Sequence, residues 1–248
     1  MRIAVAGATG RIGRLASTLL EGTGHQVIPL SRGTGVDLRN DHGLADALAG
    51  VDAVIDVLNT PAGDRESIVD FFGTTTGNLL AGEERAGVRH HVLLSIVGLD
   101  TGADAPHYAG KREQERLIAA GPVPWTIVRA TQFHDFAAMV AGWTAHDGTA
   151  TIAPLLVQPI AQADVAAALA EVAVGEPRRA KIDIAGPGTQ DLVDMARRTF
   201  AARGQQISLV PTWRGVFGPD MAGEVLLPGE NVRLAPTSFD DWLAAGAR

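Results

Sequence analysis

The sequence predicts an α/β fold built on a doubly wound parallel sheet. Short apolar segments with strand character alternate with helix-like segments from residue 2 to residue 129. Right-handed crossovers between parallel strands place the intervening helices on both faces of such a sheet. A glycine cluster directly after the first strand segment supports the same class. The 248-residue chain is 46% hydrophobic and 20% charged, which is enough apolar material for a substantial core.

The predicted elements follow one another closely. The apolar run Ile3–Ala6 ends in glycines and predicts a strand buried on both faces. Apolar residues then recur at helical spacing from Ile12 to Leu20, and Gly22 and Gly24 end this predicted helix. After a strand at His25–Leu30 and a short segment near Val36, further strands are predicted at Ala53–Leu58, His91–Ser95 and Trp125–Arg129, and helices at His42–Ala49, Ser67–Ala86 and Lys111–Ala119. This order is typical of a Rossmann-like fold.

The composition changes after about Gly148, where prolines and glycines become more frequent. We therefore expect a Rossmann core over residues 1–150. A smaller, substrate-facing region is expected over residues 151–248, with late elements such as Lys181–Ile184 returning to the sheet.

Composition also argues against several classes of function. The formal charge is −7 and the arginines are scattered, so no broad surface suits nucleic acid. The absence of cysteine rules out disulfides, thiolate nucleophiles and cysteine-bound metal. No apolar run reaches the roughly 18 residues of a membrane span, and no secretion signal is visible, so we expect a cytoplasmic protein without a membrane partner. His90 and His91 point to opposite faces of a strand and lack further ligands, so no metal site is predicted.

A glycine-rich loop separates the first strand from the first helix. Residues 7–13 read GATGRIG, which is a G-x-x-G-x-x-G pattern. Glycine lets the backbone turn tightly and approach a pyrophosphate, and the N-terminus of the following helix attracts it. The alternative is a tight turn without a ligand. The pattern predicts a dinucleotide site formed by Gly7, Thr9, Gly10, Arg11, Ile12 and Gly13.

The residues after the second strand bear on the choice of dinucleotide. An acidic side chain at this point would bind the ribose 2′-hydroxyl of NAD(H). Here Leu30 is followed by Ser31 and Arg32 instead. A guanidinium complements a 2′-phosphate, and Arg11 offers a second donor. These residues favour NADP(H) over NAD(H), although Arg32 also fits an ordinary exposed arginine at a strand exit.

Seven stretches of sequence lie in a recognisable order over about two thirds of the chain: GATGRIG at 7–13, LSRG at 30–33, VDL at 36–38, LLSIVG at 93–98, HYAGKREQE at 107–115 with PWTIVRATQF at 124–133, and QPIAQADVAAAL at 158–169. In this order they resemble the atypical, NmrA-like, NAD(P)H-binding branch of the short-chain dehydrogenase/reductases. The resemblance implies an NAD(P)-binding oxidoreductase. It places the adenine beside Asp37 and Leu38, the adenosine ribose near Leu58, Asn59 and Thr60, and the nicotinamide beside Ala130, Thr131 and Phe133.

The resemblance also implies catalytic residues, with one departure. Lys111 takes the place of the family's lysine, which holds the nicotinamide ribose, and Ser95 that of its serine or threonine. Four residues before the lysine, the usual tyrosine is replaced by His107, and Tyr108 follows it. On a helix His107 has the better spacing, because one residue turns a side chain by about 100°. The proton donor stays open between the two. Ser95 equally fits a capping serine, and Lys111 a solvated lysine paired with Glu115.

Other polar and aromatic side chains have structural explanations. Asp56 lies within an apolar strand, where we expect a hydrogen-bonded structural carboxylate. His134 is expected to be a partly exposed polar histidine. The segment Trp213–Met221 fits either a lid over a substrate or a packed loop. Residues 237–243 predict a short terminal helix.

Two functions fit these observations. The first is an NADP(H)-dependent reductase that transfers hydride to a small, apolar carbonyl, quinone or activated alkene. The second is a redox sensor that binds the dinucleotide without turnover, which the displaced tyrosine favours. An epimerase or lyase is less favoured, because nothing marks a sugar-nucleotide site. We expect a small-molecule substrate and a monomer or homodimer.

Overall fold

The computed structural model describes residues 1–60, 63–101 and 105–247. The strands are β1 (Arg2–Ala6), β2 (Gln26–Leu30), β3 (Ala53–Asp56), β4 (His90–Ile96), β5 (Trp125–Ala130), β6 (Thr149–Ile152), β7 (Leu156–Val157), β8 (Lys181–Ala185), β9 (Gln190–Asp191), β10 (Ser208–Pro211) and β11 (Arg233–Leu234). The helices are α1 (Arg11–Gly22), α2 (Leu44–Leu48), α3 (Arg65–Ala86), α4 (Pro106–Ala120), α5 (Phe136–Thr144), α6 (Gln162–Val174), α7 (Leu192–Ala202) and α8 (Phe239–Ala244).

A seven-stranded sheet has the order β11-β8-β5-β4-β3-β1-β2. β1 pairs in parallel with β2 and β3, β3 with β4, and β8 with β11. This arrangement confirms the predicted Rossmann-like α/β class. The carboxyl end of β1 is level with those of its neighbours, because Ala6 is paired with both Leu30 and Asp56. The segments that leave these three strands therefore start side by side at one edge of the sheet.

The strand sequences explain why the sheet is buried. All residues of β3 and β5 are buried, as are the last four of β1, which is expected for strands covered by helices on both faces. On one face, Ala4, Ala6 and Val54 pack with Leu44, Leu48 and Leu79 of α2 and α3. Around β4 and β5, Leu93 and Ile127 pack with Leu80 and Ile118.

Helices α3 and α4 approach each other closely at Gly110. A Cβ on this residue would lie 2.5 Å from Cδ2 of Phe72 and 2.7 Å from Cγ2 of Ile68. Real Cβ atoms are not found at such distances, because the interior is already close-packed. Glycine at this position therefore allows α4 to bring its next residue, Lys111, against α3.

Helix α4 begins earlier than the sequence pattern predicted. The predicted start was Lys111, whereas the helix starts at Pro106. Proline is favoured in a first helical turn, because its missing N–H would have had no partner there. His107 and Tyr108 consequently lie in the first turn, four and three residues before Lys111.

The chain forms two compact units. The first unit comprises Met1–Arg129 and Val165–Ile182, and the second Ala130–Asp164 and Asp183–Arg248. The units interleave along the sequence, since 165–182 returns to the first. The functional division at residue 150 stays a prediction.

Within the second unit, β6 pairs in parallel with β10, and β7 pairs antiparallel with β9. The terminal helix α8 lies where its sequence predicted it. Its N-terminus is closed by a capping box, in which Ser238 accepts a hydrogen bond from the Asp241 N–H and the Asp241 carboxylate binds back. Throughout the part of the chain that the structure describes, no helix combines the length and apolar character needed to span a membrane.

Candidate functional site

The glycine loop after β1 has a conformation that leaves no room for a side chain at positions 7 and 13. Gly7 has a φ of +84°, and a Cβ on it would lie 2.9 Å from the carbonyl oxygen of Val57. A Cβ on Gly13 would lie 2.3 Å from the carbonyl oxygen of Gly7. The Gly10 N–H closes the loop by donating to that same oxygen over 2.9 Å. Glycine is therefore required at 7 and 13 by the packing of the loop itself.

The N-terminus of α1 follows directly and has the features of an anion site. Gly10 is the N-cap, no side chain caps the helix, and its first turn contains no acidic residue. Backbone N–H groups of a first turn have no partner within the helix and carry partial positive charge. Thr9 and Arg11 are exposed here, while Ile12 anchors the helix in the core.

Arg32 lies exposed in a 3₁₀ turn, Arg32–Thr34, immediately beyond β2. This turn is fixed by a reciprocal cap in which Thr34 Oγ1 accepts from the Ser31 N–H at 3.1 Å. Because Ala6 and Leu30 are paired, the turn starts beside the glycine loop. The predicted 2′-phosphate residue thus belongs to the same sheet edge as the predicted pyrophosphate loop.

The two residues predicted beside the adenine have local structural partners. The Asp37 carboxylate accepts from the Arg39 N–H at 3.0 Å and from Asn40 Nδ2 at 3.3 Å, which makes a tight turn. Leu38 is buried in the core, and its carbonyl oxygen accepts from Asn78 Nδ2 at 2.8 Å.

The residues predicted near the adenosine ribose begin just after β3. The Leu58 N–H donates to Asp56 Oδ1 at 2.9 Å, and Asn59 Oδ1 accepts from the Thr60 N–H at 3.0 Å. Asn59 is exposed and Thr60 is half-buried. Asp56 is fully buried and accepts a second hydrogen bond from Gln114 Nε2 at 2.7 Å, so it has the structural role expected for it.

Lys111 is buried, and its ammonium is surrounded by protein acceptors. Nζ donates to the carbonyl oxygens of Leu58 at 3.3 Å and Leu94 at 3.1 Å, and to Gln114 Oε1 at 2.9 Å. It also lies 4.7 Å from the centroid of the Phe72 ring. Burial lowers the pKa of Lys111 to about 8, although Asp56 and Glu115 act in the opposite direction. The alternative of a solvated lysine is wrong, because only 4% of this residue is exposed.

Ser95 belongs to a buried ionic cluster. Its Oγ donates to Glu115 Oε1 at 2.6 Å, and Glu115 also accepts from Arg129 Nε at 2.9 Å and from Lys181 Nζ at 2.8 Å. Burial alone would raise the pKa of Glu115, but hydrogen bonds from these three partners hold it below its usual value. The Ser95 hydroxyl thus binds a carboxylate of the protein.

His107 and Tyr108 differ in their protonation. Burial, together with the Lys111 ammonium, lowers the pKa of His107 to about 4, so its imidazole is neutral at pH 7. Burial raises the pKa of Tyr108 to about 12, with Arg112 acting in the opposite direction, so the phenol keeps its proton. The His107 ring lies edge-on to Phe72 with centroids 6.0 Å apart.

The residues predicted to border the nicotinamide begin the second unit. Ala130 and Thr131 are buried, and Phe133 is half-buried beside Ile160. The Thr131 N–H donates to the Ile184 carbonyl oxygen at 3.1 Å, while Thr131 Oγ1 is buried without a partner among the described residues.

The expectation of a partly exposed His134 is wrong. This histidine is 1% exposed, and its Nε2 lies 3.2 Å from the carbonyl oxygen of Thr237. Its ring packs against Phe239 and Trp242 of α8, both at 5.7 Å between centroids. Docking of the terminal helix therefore buries this side chain, which its local sequence did not indicate.

Gln114 was missed as a member of this region, and Glu115 was considered only as a partner of a solvated Lys111. Each binds predicted site residues, Gln114 through Lys111 and Glu115 through Ser95. The sequence of α4 does not indicate that Gln114 faces the end of β3 and Glu115 the end of β4. Across the described ranges 1–60, 63–101 and 105–247, no group of three metal-ligating side chains is assembled.

Comparison of the sequence with known families gives a match over residues 32–175, which is more than half of the chain, to a family described as NAD(P)H-binding. The chain belongs to the NAD(P)H-binding family. The glycine loop at 7–13 precedes the matched range, so the loop and the family match are separate indications of the same coenzyme class.

One curated relative of this NAD(P)H-binding protein is a reductase. The (4-alkanoyl-5-oxo-2,5-dihydrofuran-3-yl)methyl phosphate reductase of Streptomyces griseus is 34% identical over 145 residues, which are 53% of this chain. The match spans about half of that reductase, 48% of its length.

Two solved structures share the fold across nearly the whole chain. One is a short-chain dehydrogenase/reductase superfamily protein of Agrobacterium tumefaciens with bound NAD, at 19% identity and a TM-score of 0.72, covering 100% of this chain and 96% of that one. The other is the NADPH-dependent quinone oxidoreductase of Escherichia coli complexed with NADPH, at 18% identity and a TM-score of 0.73, covering 99% and 100%. The family match confirms the predicted NAD(P)H-binding protein, and the two structures confirm the Rossmann-like fold.

Proposed function

We propose that this protein is an NADP(H)-dependent reductase whose acceptor is a small, apolar carbonyl, quinone or activated alkene. The observation that carries the coenzyme part is the glycine loop, where side chains are excluded at Gly7 and Gly13 beneath the uncapped N-terminus of α1. That cradle fits a pyrophosphate, which needs close approach of the backbone and unpaired N–H groups. Bound NADPH supplies a hydride. The reductase activity of the Streptomyces relative supports the reaction class.

The preference for NADP(H) rests on the turn after β2. Arg32 is exposed there, and no acidic side chain stands between Leu30 and the end of the turn to bind a free 2′-hydroxyl. We assign Arg32, with Arg11, to the 2′-phosphate. Arg32→Ser should weaken NADPH binding by about 10- to 150-fold and leave NADH binding unchanged, because a charge-assisted hydrogen bond contributes roughly 1.5–3 kcal/mol. Arg85→Ser, which removes an exposed arginine from α3, is the matched control. Equal loss for both coenzymes would refute the assignment.

Reduction of a carbonyl needs a proton on the substrate oxygen as well as a hydride on its carbon. At neutral pH the Tyr108 phenol still carries the proton that it could donate. The His107 imidazole has already lost the proton of its acid form. We therefore assign proton delivery to Tyr108 first and to His107 second. Tyr108→Phe should lower kcat for carbonyl acceptors about 100-fold or more while leaving NADPH binding intact. A variant with wild-type kcat would remove Tyr108 from the mechanism.

The general test combines binding and turnover. Calorimetric titration with NADPH, NADP⁺, NADH and NAD⁺ measures coenzyme affinity. Absorbance of the reduced nicotinamide is then followed with a panel of quinones, aldehydes and enones. Binding of NADPH with consumption by at least one acceptor supports the reductase. No binding in any of the four titrations would refute the coenzyme site itself.

A redox sensor is the second candidate function. Its support is that Ser95 and Lys111, which the resemblance assigned to catalysis, use their polar atoms for buried contacts within the protein. Clear NADPH binding without consumption by any acceptor in the panel would favour the sensor. A cytoplasmic location, a small-molecule partner and a monomeric or dimeric state accompany either proposal.

A further inference from the structure

We infer that Asp56, Gln114 and Lys111 are positioning residues that hold Leu58, and through it the wall against which the glycine loop packs. The inference rests on the proposed coenzyme site and assigns Lys111 a role through the protein backbone. The resemblance instead implies direct contact of this lysine with the nicotinamide ribose. Loss of the positioning role would weaken binding of the pyrophosphate and adenosine part of the coenzyme, whereas loss of a direct contact would weaken binding of the nicotinamide part.

The four residues form a closed ring of hydrogen bonds. The Leu58 N–H donates to Asp56 Oδ1 at 2.9 Å, and Asp56 Oδ2 accepts from Gln114 Nε2 at 2.7 Å. Gln114 Oε1 accepts from Lys111 Nζ at 2.9 Å, and the same Nζ donates to the Leu58 carbonyl oxygen at 3.3 Å. Both backbone polar groups of Leu58 are thus held by side chains of this ring.

Burial gives the ring its strength. Asp56 and Gln114 are 0% exposed and Lys111 is 4% exposed, so water cannot replace a lost partner. The third hydrogen bond of Lys111 Nζ goes to the Leu94 carbonyl oxygen, which ties the ring to the end of β4. An ammonium has three N–H donors, and all three are used within the protein.

The ring connects to the glycine loop through the backbone of Val57 and Leu58. A Cβ built on Gly7 lies 2.9 Å from the Val57 carbonyl oxygen and 3.3 Å from the Leu58 nitrogen. The Val57 N–H donates to the carbonyl oxygen of Ala6 at 3.0 Å. Gly7 therefore lies directly against the segment that the ring holds. A shift of this segment would change both the loop for the pyrophosphate and the start of the segment predicted near the adenosine ribose.

The test uses variants of Gln114, which is fully buried and touches the site only through the ring. Gln114→Met has a similar length and no hydrogen-bonding group, and Gln114→Asn keeps the amide but is one methylene too short to span the gap. Thr75→Val is the control, because it removes a buried hydroxyl of α3 that bonds within its own helix at 2.8 Å. Affinity is measured for NADPH and for 2′-phospho-ADP-ribose, which lacks the nicotinamide.

Positioning of Leu58 predicts that each of these variants, the two at Gln114 and Lys111→Met, weakens NADPH and the fragment by the same factor. We expect about tenfold or more, because each variant breaks at least one buried hydrogen bond of the ring. The control should bind both as the wild type does. Weakened binding of NADPH with unchanged binding of the fragment, for Lys111→Met, would overturn the inference in favour of a nicotinamide contact. Unchanged binding of both ligands by all three variants would also overturn it.

Amide hydrogen exchange without coenzyme separates this inference from the proposed function, and it needs no variant. In the wild-type chain the Leu58 amide should exchange at least 100-fold more slowly than the amide of exposed Asn59. Where the Gln114 variants fold, with melting temperatures near that of the control, this protection should fall. Rapid exchange at Leu58 in the wild type would refute the ring even if NADPH binds. Slow exchange with no coenzyme binding would instead leave the ring intact and refute the proposed function.

Discussion

Substitution of His107 tests whether its imidazole is buried in the neutral form. Burial and the neighbouring Lys111 ammonium lower its pKa from 6.5 to about 4. In the unfolded chain it regains the ordinary value, so below pH 6.5 the unfolded state binds a proton that the folded state does not. The histidine therefore costs stability as the pH falls from 6.5 towards 4, and this cost is absent above pH 6.5.

The two pKa values give the size of the effect. The pKa of His107 is 6.5 in the unfolded chain and about 4 in the folded one. This difference makes the free energy of unfolding about 2 kcal/mol lower at pH 5 than at pH 7.5. His107→Gln removes this contribution and should lose about 2 kcal/mol less stability than the wild type over the same interval. His90 and His134, whose pKa values burial also lowers, destabilise both proteins at acid pH and cancel in the comparison.

Urea denaturation at pH 7.5, 6.5 and 5.0 measures the free energy of unfolding. His146→Gln is the control, because the side chain of His146 is 89% exposed and its removal should leave the acid sensitivity of the wild type. Parallel curves for the wild type and His107→Gln would refute the buried neutral imidazole. They would also weaken the argument that ranks Tyr108 above His107 as the proton donor.

Further substitutions test the loop and the ionic cluster. Gly13→Ala places a methyl group 2.3 Å from a carbonyl oxygen and should lower NADPH affinity at least tenfold in calorimetry and cost about 1–3 kcal/mol in urea denaturation. Gly22→Ala meets open space and should stabilise α1 by about 0.5–1 kcal/mol. Glu115→Ala leaves buried Arg129 without its main partner and should cost about 3–5 kcal/mol in urea denaturation, whereas Arg116→Ala breaks an exposed pair and should cost far less. Equal changes in stability for Gly13→Ala and Gly22→Ala would contradict the close packing at Gly13. Equal losses for Glu115→Ala and Arg116→Ala would contradict the burial of the ionic cluster.

The fold class and the glycine loop could be predicted because their signals are local. The strand at Ile3–Ala6, the glycines after it and the helical spacing from Ile12 each follow from the geometry of one segment. The replacement of an acidic residue by Ser31 and Arg32 could also be seen in the sequence, because both residues directly follow the end of β2.

The surroundings of Lys111 could not be predicted in this way. Its position matched the family pattern, and Gln114 is its neighbour at i, i+3 on the same helix. The carbonyl oxygens of Leu58 and Leu94, however, come from segments that only the packed sheet and helices bring to it. The same reason applies to His134, which is buried by a helix more than 100 residues later. Local periodicity indicates which face of an element is apolar, but it does not indicate which polar groups meet at the ends of strands.

Residues 165–182 belong to the first unit, so this unit cannot be produced by truncating the chain at a single position. Within that unit, β5 is flanked by this late segment, where the Ile127 N–H donates to the Ala180 carbonyl oxygen at 3.1 Å and the Arg179 N–H to the Trp125 carbonyl oxygen at 2.8 Å. A fragment ending at residue 150 would expose an apolar strand edge, which promotes aggregation. A fragment of the first unit therefore has to keep 165–182 together with 1–129, and it would lack Ala130, Thr131 and Phe133, which are predicted to border the nicotinamide.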